Sequence, residues 1–436
     1  MNTEKRTTSI DGQGIDEASA VAREPVAPKQ FGVGGVEEER DWPLMTHEEV
    51  GAVLAGFRHR GRADYPARRD PPDHGAENGT PLGPIASLCW HSPRQFASGA
   101  LVDTANGDTL FVKRHHVSIR DVEGLHEEHR FIAHLQSRGV PVTDVLCTLT
   151  GATALRVDDW TYEVHALAAG VDLYRDSHSW SPFSHASHAY AAGRALARLH
   201  RASADYMAPE RTIRPLMQSF RVIGAARLDD ALDAWIGAQP LLAQALATRP
   251  WRADIAACIA PFHAALAPLL PALEPLWTHG DWHASNLLWS ADAPDAQVRT
   301  VLDFGLSDRT CAVYDLALAI ERNTIEWLSF GEGGTHPVYT DQIDALLNGY
   351  ESLSPLSDVA YAALCALLPI VHTEFALSEL AYFDGILHAP ADGEVAYTTY
   401  LLDHARWFAA GQGRTLLAWM RTRRRVDPHT AGSAEV

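Results

Sequence analysis

Hydrophobic positions change period several times along the chain, and the changes divide it. Residues 1 to about 42 mix Gly, Ser, Thr, Glu and Ala with no sustained period, which predicts a disordered or loosely attached extension. Thr46 followed by Glu49 is a capping-box pattern heading a helix through Val50, Val53, Leu54 and Phe57, and the polar stretch Arg58 to Gly83 reads as loop. From Ile85 the spacing turns strand-like: Ile85 to Trp90, Ala100 to Val102, and Thr109 to Lys113, with Asn106-Gly107-Asp108 as a hairpin turn. Leu125, His129, Ile132 and Leu135 fall near helical spacing, predicting a helix over Val122 to Arg138 that closes at Gly139. A further strand pair is predicted over Val145 to Leu149 and Trp160 to Ala166.

Beyond Gly170 helical periods dominate, at His188 to Arg201, Ala256 to Leu270, Asp341 to Tyr350, Ala360 to Leu380 and Ala396 to Ala410. The fold class predicted is therefore α+β and bilobal. It consists of an extension (1–42), a small sheet-rich lobe (43–168), a larger, mainly helical lobe (169–420) and a tail (421–436).

Length and composition agree with this division. A chain of 436 residues suits two or three folding units, and 46% apolar with 21% charged residues is globular composition. No apolar run approaches the ~20 residues that span a bilayer, and Met1 to Lys29 has no apolar signal core, so a cytoplasmic protein without a membrane partner is expected. Five widely spaced cysteines without a C-x-x-C pair suggest neither a disulfide framework nor a zinc site. A net charge of −19 argues against a nucleic-acid partner, since the one basic run, Arg421 to Arg425, reads as a solvated helix end.

The chemistry lies in two short segments. In His279-Gly280-Asp281-Trp282-His283-Ala284-Ser285-Asn286 the aspartate and asparagine are five apart, the offset between base and metal-binding Asn in a kinase catalytic loop. Asp281 is thus the candidate catalytic base, and Asn286 offers a neutral oxygen to Mg²⁺. Seventeen residues on, Val301-Leu302-Asp303-Phe304-Gly305 is a short apolar strand ending in a carboxylate, making Asp303 the second metal candidate. Any one of these aspartates alone would read as a turn or cap residue; their joint spacing favours chemistry. His279 and His283, four apart and without a third ligand, read as loop-ordering histidines.

Composition supplies an independent pointer. Lysine occurs only at Lys5, Lys29 and Lys113, the other 33 of 36 basic residues being arginine. A lysine kept at the end of the strand Leu110-Phe111-Val112-Lys113 suggests a compact ammonium on nucleotide phosphates, where a planar guanidinium would not serve. Its expected partner is Glu128 on the next helix, with Glu127 as the other candidate. Backbone groups of Glu163 and His165 are expected to read the adenine from a connector at 160–165. The loop Trp90 to Gly99 should cover the phosphates, with Ser92, Arg94 and Ser98 as contacts.

These residues resemble the aminoglycoside phosphotransferase-like family of small-molecule kinases, which includes choline and homoserine kinases. The resemblance rests on His279-Gly280-Asp281-x-His283-x-x-Asn286, Asp303-Phe304-Gly305 and Tyr314-Asp315-Leu316-Ala317. Ala195 to His200 and Gly139-Val140-Pro141-Val142 add to it, in matching order from Ile85 to Leu328. It implies a protein-kinase-like fold, ATP (or GTP) with Mg²⁺, transfer of the γ-phosphoryl group to a hydroxyl, and Asp315 as a structural brace. Two departures are the long N-terminal extension and a phosphate loop lacking the glycines of many relatives. Only twelve positions separate Asp303 from Asp315 and no Ala-Pro-Glu follows, which disfavours a protein substrate.

Between Glu321 and Ala410 thirteen acids face only Arg322 and Arg406. Such a field would concentrate a cationic, amine-bearing acceptor, with Glu321, Glu326, Glu374, Glu379 and Asp384 as candidate contacts; solvated helix faces are the plainer reading. The alternative function is a kinase-fold nucleotide-binding regulator with little turnover.

Overall fold

The structure, a computed structural model, describes residues 29–31, 37–61, 79–329 and 337–424; most of the expected extension, the core of the polar stretch after Arg58 and the tail from 425 lie outside these. Five antiparallel strands form the sheet of the first lobe, in the order Ile85–His91, Ser98–Thr104, Thr109–His116, Trp160–Ala166, Leu155–Val157. The hairpin turn forms as the sequence predicts, with Gly107 at φ +90°, a conformation that glycine adopts without penalty. The helix His47–Leu54 carries its capping box, Glu49 N–H donating to Thr46 Oγ1 at 3.1 Å. Val50, Val53, Leu54 and Phe57 join Val102, Leu110, Val112 and Val164 in a buried cluster of this lobe.

The helix Val122–Ser137 starts at Asp121, whose carboxylate accepts from Gly124 N at 2.7 Å, and ends before Gly139 at φ +77°. The segment expected to form a strand from Val145 behaves differently. Val145 makes a single bridge to His165, and Cys147–Thr148 pairs with Phe57–Arg58. The sheet neighbours of Trp160–Ala166 are the lysine strand and Leu155–Val157.

The second lobe is helical around a larger core. The helix expected over 256–270 is broken into Trp251–Cys258, Ala260–Leu266 and a tighter turn at Ala267–Ala272, where Pro261, Pro268 and Pro271 deny the backbone N–H a continuous helix needs. Likewise 360–380 divides around Pro369 into Asp358–Leu367 and Thr373–Tyr382. Two small antiparallel pairs sit among the helices: Pro275–Thr278 with Asp308–Cys311, and Leu287–Trp289 with Val298–Val301. They bracket the segments 279–286 and 302–307, so both candidate chemical loops hang from strand ends. Among the described residues no single helix is long and apolar enough to cross a membrane.

The end of the expected extension is not loose. Tyr382 Oη donates to Asp41 at 2.9 Å and accepts from Trp42 Nε1 at 3.1 Å, while Arg40 donates to Ser92 O at 3.0 Å. An aromatic hydroxyl in the helical lobe and a carbonyl in the loop Trp90 to Gly99 thus hold residues 40–42, contacts that a composition-based reading of disorder could not anticipate.

Candidate active site

The segment from His279 to Asn286 is shaped by groups that bind its backbone. Asp315, fully buried on the helix Ala312–Thr324, accepts from His279 N–H and Gly280 N–H, each at 2.8 Å, and from His200 at 3.1 Å. Burial alone would raise its carboxyl, but His200 and these N–H groups keep it below the usual value. Two turns along the same helix, Asn323 accepts from Ala284 N–H at 2.8 Å and donates to Trp282 O at 2.9 Å. His279 N–H aside, its ring Nε2 faces Leu302 O at 2.8 Å and Nδ1 accepts from Asp281 N–H at 3.1 Å, which fixes the neutral tautomer that burial also favours. Gly280 has φ +76°, and a Cβ there would meet Leu306 O at 2.1 Å, so a side chain is excluded on both counts.

The loop delivers its side chains to a cavity of about 470 Å³ lined by Lys113, Glu128, Asp281, Asn286 and Asp303 together. Asn286 Nδ2 donates to Asp281 O and to Asp281 Oδ2, both at 3.0 Å, which leaves its Oδ1 as the atom able to take a cation. Asp303, at φ +53°, presents its carboxylate from the other wall. Lys113 Nζ donates to Asp303 Oδ1 at 3.0 Å. The cavity walls partly desolvate the Asp303 carboxyl, which stays 42% exposed, and this would raise it, but the Lys113 ammonium outweighs the effect and holds the group at about 2. Two hard, oxygen-donating side chains facing one cavity fit Mg²⁺, which prefers oxygen and keeps few protein ligands.

Some expected contacts differ. Lys113 pairs with Asp303 and not with Glu128, although Glu128 lines the same cavity and is buried. Glu127 is engaged by Arg214 at 2.7 Å and Arg211 at 3.5 Å. Glu163 and His165 lie inside the strand Trp160–Ala166, not in a connector. Val164 O and Ala166 N–H bond outward to Leu146 and Asp144, so by strand alternation the backbone groups of 163 and 165 are turned to the lysine strand and cannot read adenine. The connector that follows the strand lines the cavity with Leu167, Ala168 and Gly170. Among the phosphate-loop residues, Ser92 and Arg94 line the cavity, and Arg94 reaches across to Ser179 Oγ at 2.8 Å.

Sequence reading missed two clamps and a pocket wall. Arg120 and Arg211, both buried, each donate to Gly305 O at 2.9 Å and so fix the turn after Asp303. Arg322, buried one position before Asn323, forms an ion pair with Asp281, and its guanidinium lies 5.4 Å from the Trp180 ring and 5.5 Å from Phe375. Burial lowers it to about 9. The spacing signal was present: 322 and 323 follow Asp315 by seven and eight, the same helix face. Of the acids proposed as acceptor contacts, Glu379 lines the cavity and Glu321 borders an adjoining recess with Trp180 and Tyr400. The others are engaged elsewhere: Glu374 accepts from Ser219 Oγ at 3.0 Å, Asp384 pairs with Arg249 at 2.8 Å, and Glu326 accepts from Tyr339.

Comparison with known proteins places this arrangement. A homoserine kinase of Rhodospirillum rubrum is 27% identical over 254 residues, covering 57% of this chain and 66% of that kinase, just under two thirds of its length. Among solved structures, an aminoglycoside phosphotransferase from Alicyclobacillus acidocaldarius is similar at 18% identity and a TM-score of 0.43, over 80% of this chain and 98% of that one. A choline kinase from Cryptosporidium parvum is similar at 13% identity and a TM-score of 0.42, over 77% and 93%. The profile described as phosphotransferase enzyme family matches residues 95–356, and on that match the chain belongs to the phosphotransferase enzyme family.

Proposed function

We propose that this chain transfers the γ-phosphoryl group of ATP, or of GTP, to a hydroxyl of a small amine-bearing molecule. The observation that carries the reading is the convergence of Lys113, Asp281, Asn286 and Asp303, contributed by both lobes, on one cavity. Asp281 orients the acceptor hydroxyl and takes its proton as the new P–O bond forms and the β–γ bridging bond breaks. Lys113 attracts the nucleotide phosphates. Asn286 and Asp303 would hold Mg²⁺, which neutralises phosphate charge when bound. A nucleotide-binding regulator would have no need of Asp281 at the cavity wall.

The acceptor corner supports an amine. Trp180 and Phe375 already hold the Arg322 guanidinium over their faces, an arrangement suited to cations, and Glu379 stands beside them. Homoserine, the substrate in the name of the relative above, carries both an amine and a hydroxyl. The test is Mg²⁺-dependent ATP consumption across amino alcohols, amino sugars, hydroxy amino acids and neutral sugars. Turnover unchanged in Asp281→Ala would overturn the mechanism, and a neutral sugar as best acceptor would remove the amine.

A further inference from the structure

Three histidine side chains of the sheet lobe meet at one carboxylate beside the cavity but outside the proposed chemistry. Glu163 is 1% exposed, and its Oε2 lies 2.7 Å from His129 Nε2 and 2.9 Å from His165 Nε2, while Oε1 lies 3.0 Å from His115 Nε2. They come from three elements: the lysine strand, the helix Val122–Ser137 and the strand Trp160–Ala166. A buried carboxylate needs partners, and with about four acceptor sites it can take all three imidazole N–H groups as hydrogen bonds. Two of the imidazoles, His129 and His165, turn Nε2 to the same oxygen, and with that oxygen they also form a set of metal donors.

The ligand atoms of His129, Glu163 and His165 lie within 4.8 Å of one another. Tetrahedral zinc with ligands at about 2.0–2.2 Å holds its donor atoms roughly 3.3 Å apart, so the two Glu163 contacts open by about half an ångström while the His129 and His165 nitrogens, within 4.8 Å of each other, draw to the same spacing. The outer groups fit as well. His129 Nδ1 faces Thr153 Oγ1 at 2.8 Å and His165 Nδ1 faces Thr143 Oγ1 at 3.3 Å. A hydroxyl can accept as well as donate, so each imidazole can carry its proton on Nδ1 and free Nε2 for a metal. His165 and Glu163 line the main cavity, which gives an ion a way in.

We propose that His129, Glu163 and His165 form a binding site for a zinc-like divalent cation, with His115 orienting the carboxylate through its other oxygen. The nitrogen-rich donor set separates it from the all-oxygen pair Asn286 and Asp303, which suits Mg²⁺. Glu163 stands directly opposite Lys113 in the strand ladder, so an ion here neutralises a carboxylate beside the phosphate-binding ammonium and tunes nucleotide affinity. The ion site itself does not depend on the reaction or acceptor proposed above; its effect on nucleotide affinity rests on Lys113 meeting the phosphates.

The test uses the full-length chain, stripped of metal and titrated with Zn²⁺ against a chromophoric chelator. One ion per chain is expected, with X-ray absorption showing nitrogen and oxygen neighbours and no sulfur. His129→Asn and His165→Asn abolish binding, whereas Asp303→Ala leaves it intact. Thr153→Val, which keeps the side chain's shape should the histidine variants fold poorly, weakens affinity about 10–100-fold. Zinc binding lost in Asp303→Ala, sulfur in the spectrum, unchanged affinity in Thr153→Val, or no binding at micromolar Zn²⁺ overturns the site and leaves the four residues a hydrogen-bond hub.

Discussion

The two ends of the cavity are built differently. At the phosphoryl end, short contiguous segments are fixed through their backbones: Asp315 holds His279 and Gly280, Asn323 holds Ala284, and Arg120 and Arg211 hold Gly305. At the end proposed to take the acceptor, Trp180, Arg322, Phe375, Glu379 and Tyr400 meet as side chains from distant parts of the chain. Backbone clamping leaves the first end little freedom. The second is set by packing and charge state, with burial raising Glu379 to about 8 and lowering Arg322 to about 9. Substitutions at the first end should therefore act on kcat and those at the second on acceptor KM.

The largest expected effect is Asp281→Ala, a fall in kcat of about 10²–10⁴-fold, the range for a lost general base, with nucleotide affinity by calorimetry unchanged. Its counterpart, Trp180→Ala, raises acceptor KM and spares kcat. An equal fall in kcat in both variants would break the comparison.

Asp315→Ala attacks the clamp without touching the cavity. It strips an acceptor from two buried N–H groups and from His200, and each orphaned group costs about 1–3 kcal/mol. Thermal unfolding should shift down by several degrees, and kcat should fall with it. Asp315→Ala with native melting would show that the loop holds its own shape.

Lys113→Arg keeps the charge but places a planar group where Nζ now meets Asp303 at 3.0 Å. A loss of about 1.4 kcal/mol of transition-state stabilisation, tenfold in kcat/KM, is expected. Wild-type kinetics would mean that rarity in the composition misled.

That residue shows what the sequence made legible. Asp281, Asn286 and Asp303 sit within 23 positions, so their spacing alone exposes them, and Lys113 stands out because arginine fills nearly every other basic position. The hairpin and the strands through Lys113 follow from period and turn chemistry, whereas the edge strand Leu155–Val157, which takes the place expected for Val145 to Leu149, does not. The acceptor wall was unreadable because Trp180 and Tyr400 become neighbours only through tertiary packing, their rings 5.7 Å apart. The acids after Asp315 looked like one field, yet four of the five chosen are engaged with partners of their own, Glu321 with His404 at 3.1 Å among them, a distinction that net charge does not carry. The connector was misplaced for a third reason: a strand and a strand end have the same residue preferences, and only the bonds of Val164 and Ala166 show where pairing stops.

The smallest effect is the most specific to the acceptor end. Burial raises the Glu379 carboxyl to about 8, Arg322 opposing and Glu321 reinforcing the rise, so below pH 8 the group is neutral and above it negative. A quaternary ammonium alcohol keeps one charge throughout, so its KM should fall severalfold between pH 7 and 9 as Glu379 ionises. Glu379→Gln should flatten that profile while leaving the pH dependence of kcat in place. The same shift has the opposite sign for folding. A carboxyl that is held at about 8 in the folded chain, against about 4.3 when unfolded, binds the extra proton in the native state, so its contribution to stability is complete at acid pH and is lost as pH rises through 8. The wild-type protein should therefore melt at lower temperature at pH 9 than at pH 7, while its KM for the cationic acceptor improves. Glu379→Gln should reduce both changes, and a KM profile that stays flat in the wild type would show that Glu379 does not face the acceptor.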